Sequence, residues 1–212
     1  MAIQSVLNRN NFKIIDAESH KAYDGCDQEW FLTEWQRISG CGPSAAANII
    51  LYMTQKGDPF ITEENIHSQS ECLLLMEEIW NYVTPSKEGI SSTEVFCDSV
   101  LTFLKSKGRF LKCQRMDFPE TMNDWPKLTE AQQFIEHALL KDMPIAFLNL
   151  CNGQEMKLEG WHWVTIISIE QKGDKGNISL EVLDEGTIKS IDFSLWYHTT
   201  TKGGGLVYFT AL

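Results

Sequence analysis

The stretch from Gly40 to Asn48 constrains the fold more than any other part of the chain, because it sets the place where a helix begins. It reads Gly-Cys-Gly-Pro-Ser-Ala-Ala-Ala-Asn. Proline suits the first helical turn, where its missing N–H costs nothing and its φ is already helical, and alanine is the strongest helix former. A buried helical stripe is predicted from the apolar residues Ala47, Ile50, Leu51 and Met53. The sequence therefore predicts a helix that starts at or just after Cys41.

Cys41 stands where a helix can activate a thiol. The first N–H groups of a helix have no partner within it, and together with the helix dipole they favour a thiolate. The glycines on either side of Cys41 leave room for a substrate backbone to approach. A buried cysteine that only packs in the core is the alternative. We interpret Cys41 as a candidate nucleophile.

The run from Gly160 to Ile169 is rich in β-branched and aromatic residues and is apolar on both faces. This pattern predicts a central strand with His162 near its start. A polar loop at 171–177 and a second apolar run at 178–184 predict the return strand of a hairpin. Neighbouring strands lie about 5 Å apart, so we expect Asp184 to contact His162. A histidine satisfied in the core and an aspartate that only forms a turn are the alternatives.

Three short motifs occur in this order along the chain. Cys-Gly-Pro begins at Cys41 at the predicted helix start, His-Trp-Val begins at His162 in the predicted strand, and Leu-Asp ends at Asp184 before a turn. Over roughly residues 30–212 this order resembles the papain-like cysteine peptidase superfamily, and within it the bacterial C39-like, bacteriocin-processing-type branch. The resemblance implies a catalytic triad of Cys41, His162 and Asp184. Family members often carry a glutamine six residues before the cysteine as an oxyanion donor. The resemblance implies this role for Gln36, which lies five residues before Cys41.

Helical patterns precede strand patterns along the chain. Besides the helix at Cys41, apolar spacing predicts helices at 62–83, 91–105 and 129–141. Strands are predicted at 110–116, 145–150, 160–169, 178–184, 187–193 and 206–210. The sequence has neither βαβ alternation nor an internal repeat, so the predicted fold class is α+β.

A single domain over residues 1–212 is the expected organisation, since a chain of this length can bury a substantial core. We predict an N-terminal arm at 1–29 and a helical lobe at about 30–142 that carries Cys41. An antiparallel β lobe at about 143–212 would carry His162 and Asp184. This layout is that of a papain-like (cysteine proteinase) fold, in which the resemblance implies a site in the groove between the lobes.

The charge of the chain limits its partners. A net charge of −11 without a basic stripe argues against binding to a nucleic-acid backbone or to an anionic membrane. No apolar run approaches the roughly 20 residues of a membrane span, and the first residues lack the basic and apolar regions of a signal peptide. We therefore expect a cytoplasmic protein with no nucleic-acid or membrane partner. The sequence favours no particular oligomeric state.

Six cysteines are present, and without an export signal we expect them to be free thiols. Their spacing does not match that of a zinc site, and we expect no metal and no cofactor. Cys72 and Cys97 share helical stripes and are predicted to lie in the core. Cys151, at the end of a predicted strand, is a second-choice nucleophile because no helix start follows it.

Aromatic residues flank both halves of the predicted site. Tyr23, Trp30, Phe31 and Trp35 precede Cys41, and packing is favoured over a binding platform for them. Trp161 and Trp163 flank His162, where they suit either a cleft that excludes water or plain packing.

The predicted chemistry is acyl transfer to a thiolate. Cys41 would attack a carbonyl or thioester carbon, His162 would return the proton to the leaving group, and Asp184 would orient the imidazole. The Cys41 N–H and the Gln36 side chain would donate hydrogen bonds to the oxyanion. We expect a hydrolase of a peptide bond or of a small acyl or amide substrate. An acyltransferase or transpeptidase with the same triad and a non-catalytic binding protein stay open as alternatives.

Overall fold

The computed structural model describes residues 3–56, 66–172 and 177–212. Within these ranges the helices are α1 (Glu34–Ser39), α2 (Cys41–Gln55), α3 (Gln69–Trp80), α4 (Thr93–Ser106), α5 (Leu128–Leu140) and α6 (Phe193–Thr199). The strands are β1 (Ile3–Ser5), β2 (Lys13–Ile15), β3 (Ala22–Asp24), β4 (Leu111–Phe118), β5 (Ile145–Asn149), β6 (His162–Lys172), β7 (Asn177–Asp184), β8 (Thr187–Asp192) and β9 (Gly204–Ala211). Short 3₁₀ turns lie at Arg9–Phe12, Gln28–Trp30 and Met122–Asp124.

The main antiparallel sheet of the described residues has seven strands. Six follow the order β4-β9-β5-β6-β7-β8, and β1 pairs with β6 beyond the end of β5. β6 lies inside the sheet, and its first eight residues are buried, as expected for a strand that is apolar on both faces. β2 and β3 form a separate hairpin.

The helix predicted at Cys41 is confirmed as α2, which packs on β6 and on α3. Every residue from Gly42 to Thr54 is buried, so α2 is a central helix rather than an amphipathic one. The small residues of its first turns let it approach the sheet closely, and its larger apolar residues fill the space between sheet and helices. No helix within the described ranges is long and apolar enough to cross a membrane.

Two of the differences between predicted and observed elements arise from helix capping. The predicted helix start at Thr62 lies outside the described residues, and residues 66–68 are not helical. The described helix α3 begins at Gln69, where Ser68 and Glu71 form a capping box. The strand predicted at 187–193 ends one residue earlier, because the Asp192 carboxylate accepts from the Leu195 N–H and caps the unpredicted helix α6.

Segments from outside the predicted β lobe also join the main sheet. β1, from the arm at 1–29, pairs with β6. β4, from the segment assigned to the helical lobe, pairs along its whole length with β9. The arm also contributes the buried side chains of Phe12 and Ile14 to the core.

The expectation that all six cysteines are free is wrong for one pair. Cys97 of α4 and Cys113 of β4 form a disulfide, whereas Cys26, Cys41, Cys72 and Cys151 are free. The two α-carbons of the pair lie 6.0 Å apart, within the span of a disulfide, because α4 packs against β4. This packing brings together two residues from different elements, which cysteine spacing alone does not reveal. Cys72 and Cys97 are both buried, as predicted.

Candidate active site

Cys41 is the first residue of α2, and α1 ends only two residues before it. Gly40 separates the two helices. A Cβ at Gly40 would lie 2.4 Å from the Gln36 carbonyl oxygen and 2.7 Å from the Phe31 ring, so the close junction requires glycine. The junction leaves the Cys41 side chain half-buried at the helix start, where the helix N–H groups and dipole favour negative charge.

His162 begins β6 and Asp184 ends β7, and both side chains are buried. The two strands pair antiparallel, with Thr165 opposite Leu183. This register brings His162 Nε2 to 2.7 Å from Asp184 Oδ1, so the contact predicted from the hairpin is present.

His162 also contacts Cys41, and the two contacts set its charge. Burial alone would lower the pKa of His162, but hydrogen bonds with Asp184 and Cys41 outweigh it and raise the pKa to about 10. Since Nε2 is bonded to Asp184, the other ring nitrogen, Nδ1, is the one available to Cys41. The imidazole therefore links the carboxylate to the sulfur and is held as a cation.

Asp184 is held as an anion by a residue that the sequence analysis did not single out. Lys189 on β8 places its Nζ 2.8 Å from Asp184 Oδ2 and 3.0 Å from Glu185 Oε2. Burial acts to raise the pKa of Asp184, but the bonds to His162 and Lys189 lower it below its ordinary value. The lysine reaches this position only because β8 turns back tightly against β7 after residue 186.

Gln36, the predicted oxyanion donor, lies on α1 with its side chain engaged elsewhere. Its Oε1 accepts from the Thr33 N–H in a capping box, and its Nε2 donates to Glu77 Oε2 at 2.7 Å. The bond to Glu77 fastens α1 to α3. Gln36 is not among the residues that line the cavities beside Cys41, and its oxyanion role stays a prediction.

Gln28 is a second glutamine near the site that sequence reasoning missed. It lies on a 3₁₀ turn and lines a small cavity together with Cys41 and His162. Its carboxamide makes no hydrogen bond within the described part of the chain. No sequence signal marks this residue, because the segment that carries it reaches the site only when the arm folds over α2.

The same small cavity contains an unpaired hydroxyl. Ser44 Oγ is buried without a hydrogen-bond partner among the described residues, and Ser44 lines the cavity one turn after Cys41. Deeper along α2, Asn48 accepts from the Cys26 N–H at 2.7 Å and donates to Thr165 Oγ1 at 3.2 Å. Asn48 thereby connects the arm, α2 and β6.

A larger cleft of about 340 Å³ opens on another side of Cys41. Besides Cys41 it is lined by Trp35, Ile38, Ser39, Lys87, Glu88, Gly89 and Trp161. In the described residues, no group of three or more His, Cys, Asp or Glu side chains could hold a metal ion.

Comparison with known proteins gives a likeness of fold. No protein-family model matches the chain, and a search of curated proteins finds no match. Among solved structures, the chain is similar to UfSP from C. elegans, a cysteine protease of the papain-like fold, with a TM-score of 0.55 and 13% identity over 99% of this chain. The chain spans 34% of the length of that structure. The predicted α+β, papain-like fold class is thereby confirmed.

Proposed function

We propose that this chain is a cysteine-nucleophile hydrolase that cleaves a peptide or amide bond through an acyl-enzyme. The observation that carries the proposal is the position of His162, which hydrogen-bonds to Asp184 and lines one small cavity with Cys41 at the start of α2. A thiolate beside an imidazolium that an aspartate orients is the arrangement that nucleophilic acyl transfer requires. Within the superfamily, the motifs favour the C39-like branch.

The reaction follows from the roles of these groups. The Cys41 thiolate attacks the carbonyl carbon, and the C=O electron pair moves to oxygen. Collapse of this oxyanion expels the amine, which takes a proton from His162 and leaves a thioester on Cys41. Neutral His162 then removes a proton from water, which attacks the thioester and releases the acid. Asp184 stabilises the imidazolium in each half.

The oxyanion needs two donors, and two glutamines compete for the second place beside the Cys41 N–H. Gln28 is supported by its place in the cavity with Cys41 and His162, and by a carboxamide that makes no hydrogen bond with the described residues. Gln36 is supported by the family resemblance. Loss of one oxyanion donor typically lowers kcat by about 10²–10³-fold.

Two matched variants distinguish these donors. We expect Gln28→Ala to lower kcat with little change in KM or stability. We expect Gln36→Ala to lower the free energy of unfolding by about 0.5–2 kcal/mol through loss of its capping box, with little change in kcat. The reverse pattern in kcat, in folded protein, would assign the role to Gln36.

The proposed nucleophile can be tested by site-resolved alkylation. Iodoacetamide labelling between pH 6 and 9, read by mass spectrometry at Cys41 and Cys151, should show a fast Cys41 reaction at pH 6 that His162→Ala slows. The Cys151 rate should not respond to His162→Ala, so it serves as the internal control. Equal labelling of Cys41 with and without His162 would refute the proposal.

A peptide library then identifies the reaction. We expect hydrolysis products that appear only when Cys41 is intact. Incorporation of an added amine in place of water would instead indicate acyl transfer by the same triad. Fast Cys41 labelling without turnover of any peptide, amide or thioester would indicate a binding protein.

A further inference from the structure

Two of the free thiols contact each other in the core. Cys26 Sγ lies 2.8 Å from Cys72 Sγ, and both residues are buried. Non-bonded carbon atoms already stay about 3.5–4.0 Å apart, and sulfur is the larger atom. The two sulfur atoms are therefore closer than packing alone favours. The S–S bond of a disulfide would require them to approach by only about 0.8 Å more.

The two cysteines come from different parts of the fold. Cys26 follows β3 in the arm, whereas Cys72 lies in the first turn of α3. The arm and the start of α3 are also joined by backbone, because the Ile15 N–H donates to the His67 carbonyl at 2.8 Å. The contact between the sulfur atoms therefore lies in an interface that other bonds already hold together.

The backbone beside Cys26 is fitted closely to α2. Gly25 has a φ of +83°, and a Cβ there would lie 2.7 Å from Asn48 Oδ1. The same Asn48 oxygen accepts from the Cys26 N–H at 2.7 Å, and the Gly25 N–H donates to the Phe12 carbonyl at 2.8 Å. Because α2 packs on α3, these contacts hold the Cys26 side chain against Cys72.

Two thiols that only pack against each other are the alternative, since cysteine is a common small apolar residue in cores. Burial, together with the bond to Cys72, raises the pKa of Cys26 well above its ordinary value. A buried thiol of this kind is inert, so the pair reacts only when the arm opens locally. The same burial would shield a disulfide from reductants once it has formed.

We infer that Cys26 and Cys72 form a reversible disulfide, a redox-sensitive link between the arm and α3. The two residues are 46 positions apart, and the loop that the link closes contains α1, Cys41 and α2. Cys26 also lines the small cavity with Cys41 and His162, and Gln28 lines it two residues later. The link would therefore restrain one wall of the candidate site. The inference is independent of the hydrolase proposal, because neither sulfur atom takes part in acyl transfer.

The oxidant is a low-molecular-weight disulfide, for which glutathione disulfide is the probe. The thiolate of one cysteine attacks a glutathione sulfur, a mixed disulfide forms, and one glutathione thiolate leaves with the electron pair of the broken bond. The second cysteine thiolate then attacks the sulfur of the first and expels the other glutathione thiolate. The two cysteine protons pass through solvent to these thiolates. Two cysteine thiols are thus oxidised, and one glutathione disulfide is reduced to two thiols.

Peptide mapping of the wild-type protein tests the link. The protein is equilibrated in glutathione buffers from reducing to oxidising, free thiols are blocked, and linked peptides are identified by mass spectrometry. We expect a peptide in which Cys26 is bonded to Cys72, with both free thiols lost together. The Cys97–Cys113 disulfide is the control for oxidation. Cys26 and Cys72 that stay free in a buffer that links this control pair would overturn the inference, as would separate mixed disulfides with glutathione.

Thermal unfolding measures the effect of the link on stability. A disulfide of this kind raises the Tm of a chain of this size by about 5–15 °C. We expect the difference in Tm between oxidised and reduced protein to be smaller by this amount in Cys72→Ala than in the wild type. Cys151→Ala, which removes a cysteine outside the pair, should keep the wild-type difference. Both variants retain Cys97 and Cys113, so the contribution of that disulfide cancels. An equal difference in Cys72→Ala and wild type would overturn the inference. If Cys72→Ala does not fold, peptide mapping alone decides.

Hydrogen exchange shows whether the link restrains the wall of the cavity. The N–H groups of Gly25 and Cys26, which are hydrogen-bonded to Phe12 and Asn48, should exchange about 10-fold or more slowly in the oxidised protein. Equal exchange in the oxidised and reduced proteins would mean that the link does not restrain this wall.

The outcomes distinguish this inference from the hydrolase proposal. Iodoacetamide labelling of Cys41 is measured separately, in reduced protein with and without His162→Ala. A Cys26–Cys72 link together with a Cys41 rate that does not depend on His162 would support the link and overturn the hydrolase proposal. Free Cys26 and Cys72 together with a Cys41 rate that depends on His162 would do the reverse.

Discussion

Cys41 and Cys151 are both half-buried free thiols, but their surroundings differ in kind. Cys151 follows β5, and its Sγ accepts from Thr201 Oγ1 at 3.3 Å. This bond, with the backbone N–H groups of Thr201 and Gly153, lowers the pKa of Cys151 to about 7. Cys41 has instead a histidine as its partner, at the start of a helix. Among the described residues, no imidazole hydrogen-bonds to Cys151.

This difference separates two properties of a cysteine: the stability of its thiolate and its ability to carry out acyl transfer. Hydrogen-bond donors alone can stabilise a thiolate, and Cys151 shows how little is needed for that. Acyl transfer also requires a group that gives a proton to the leaving amine and later takes one from water. Of the two thiols, Cys41 is the one that has such a group nearby among the described residues. We therefore expect both thiols to be alkylated readily but only Cys41 to turn over substrate.

The largest expected effect is on turnover. Cys41→Ala should lower kcat/KM by about 10⁴-fold or more, as is usual for loss of a covalent nucleophile. The kcat/KM of Cys151→Ala should stay within about twofold of the wild-type value. Both variants can be assayed on any peptide that the wild-type protein cleaves. An inactive, folded Cys151→Ala would contradict the comparison.

The second effect concerns the charge on His162. Since its pKa is raised above the unfolded value of about 6.5, its stabilising contribution is fully present below pH 6.5 and is lost as the pH rises through about 10. Asp184→Asn removes the first bond that raises this pKa. We expect the alkaline limb of activity to move to lower pH and kcat to fall by about 10²–10⁴-fold.

The measurement is a pH profile of kcat/KM for wild type and Asp184→Asn, with urea unfolding of both at pH 6 and pH 9.5. The difference in the free energy of unfolding between them should be smaller at pH 9.5. An alkaline limb that does not move would mean that Asp184 does not control the protonation of His162.

The third expected effect is smaller and concerns the reactivity of Cys151. Thr201→Val removes the hydroxyl donor, and the pKa of Cys151 should rise from about 7 toward its ordinary value. The smaller thiolate fraction at pH 7 is partly offset by the greater nucleophilicity of the more basic thiolate. We expect iodoacetamide labelling of Cys151 at pH 7 to slow by about 3–5-fold and that of Cys41 to stay the same. Equal slowing at both thiols would indicate a general structural change.

The sequence predicts some features of the fold and of the candidate site but not others. The helix at Cys41 and the contact between His162 and Asp184 are predictable, because each depends on patterns within one element or one hairpin. Proline and alanine mark the start of α2, and two apolar runs on either side of a polar loop mark the hairpin. The order of helices and strands was enough for the α+β class.

Features that depend on the meeting of distant segments were not predictable. Gln28 reaches the cavity only because the arm crosses α2, and the Cys97–Cys113 disulfide depends on how α4 packs on β4. For Gln36, the family resemblance implies a place at the site, whereas in the structure its side chain caps α1 and binds Glu77; its oxyanion role stays a prediction. Lys189 belongs with the unpredictable residues, since nothing in its sequence context indicates a bond to Asp184.

The last prediction, which has the smallest expected effect, concerns Lys189. Its ammonium is partly exposed and bonds to Asp184 Oδ2, so water replaces part of its effect when it is removed. Lys189→Met keeps most of the side-chain volume but loses the charge, and the pKa of Asp184 should rise toward its ordinary value. A carboxylate with a lowered pKa contributes stability that is lost as the pH falls. We therefore expect the acid limb of kcat/KM to move to higher pH and activity at pH 7 to change by about twofold or less.

The adjacent exposed residue Ile188 provides a matched control, since Ile188→Ala leaves the charge in place. A large loss at pH 7 in Lys189→Met alone would mean that the triad depends on this lysine for more than the charge of Asp184.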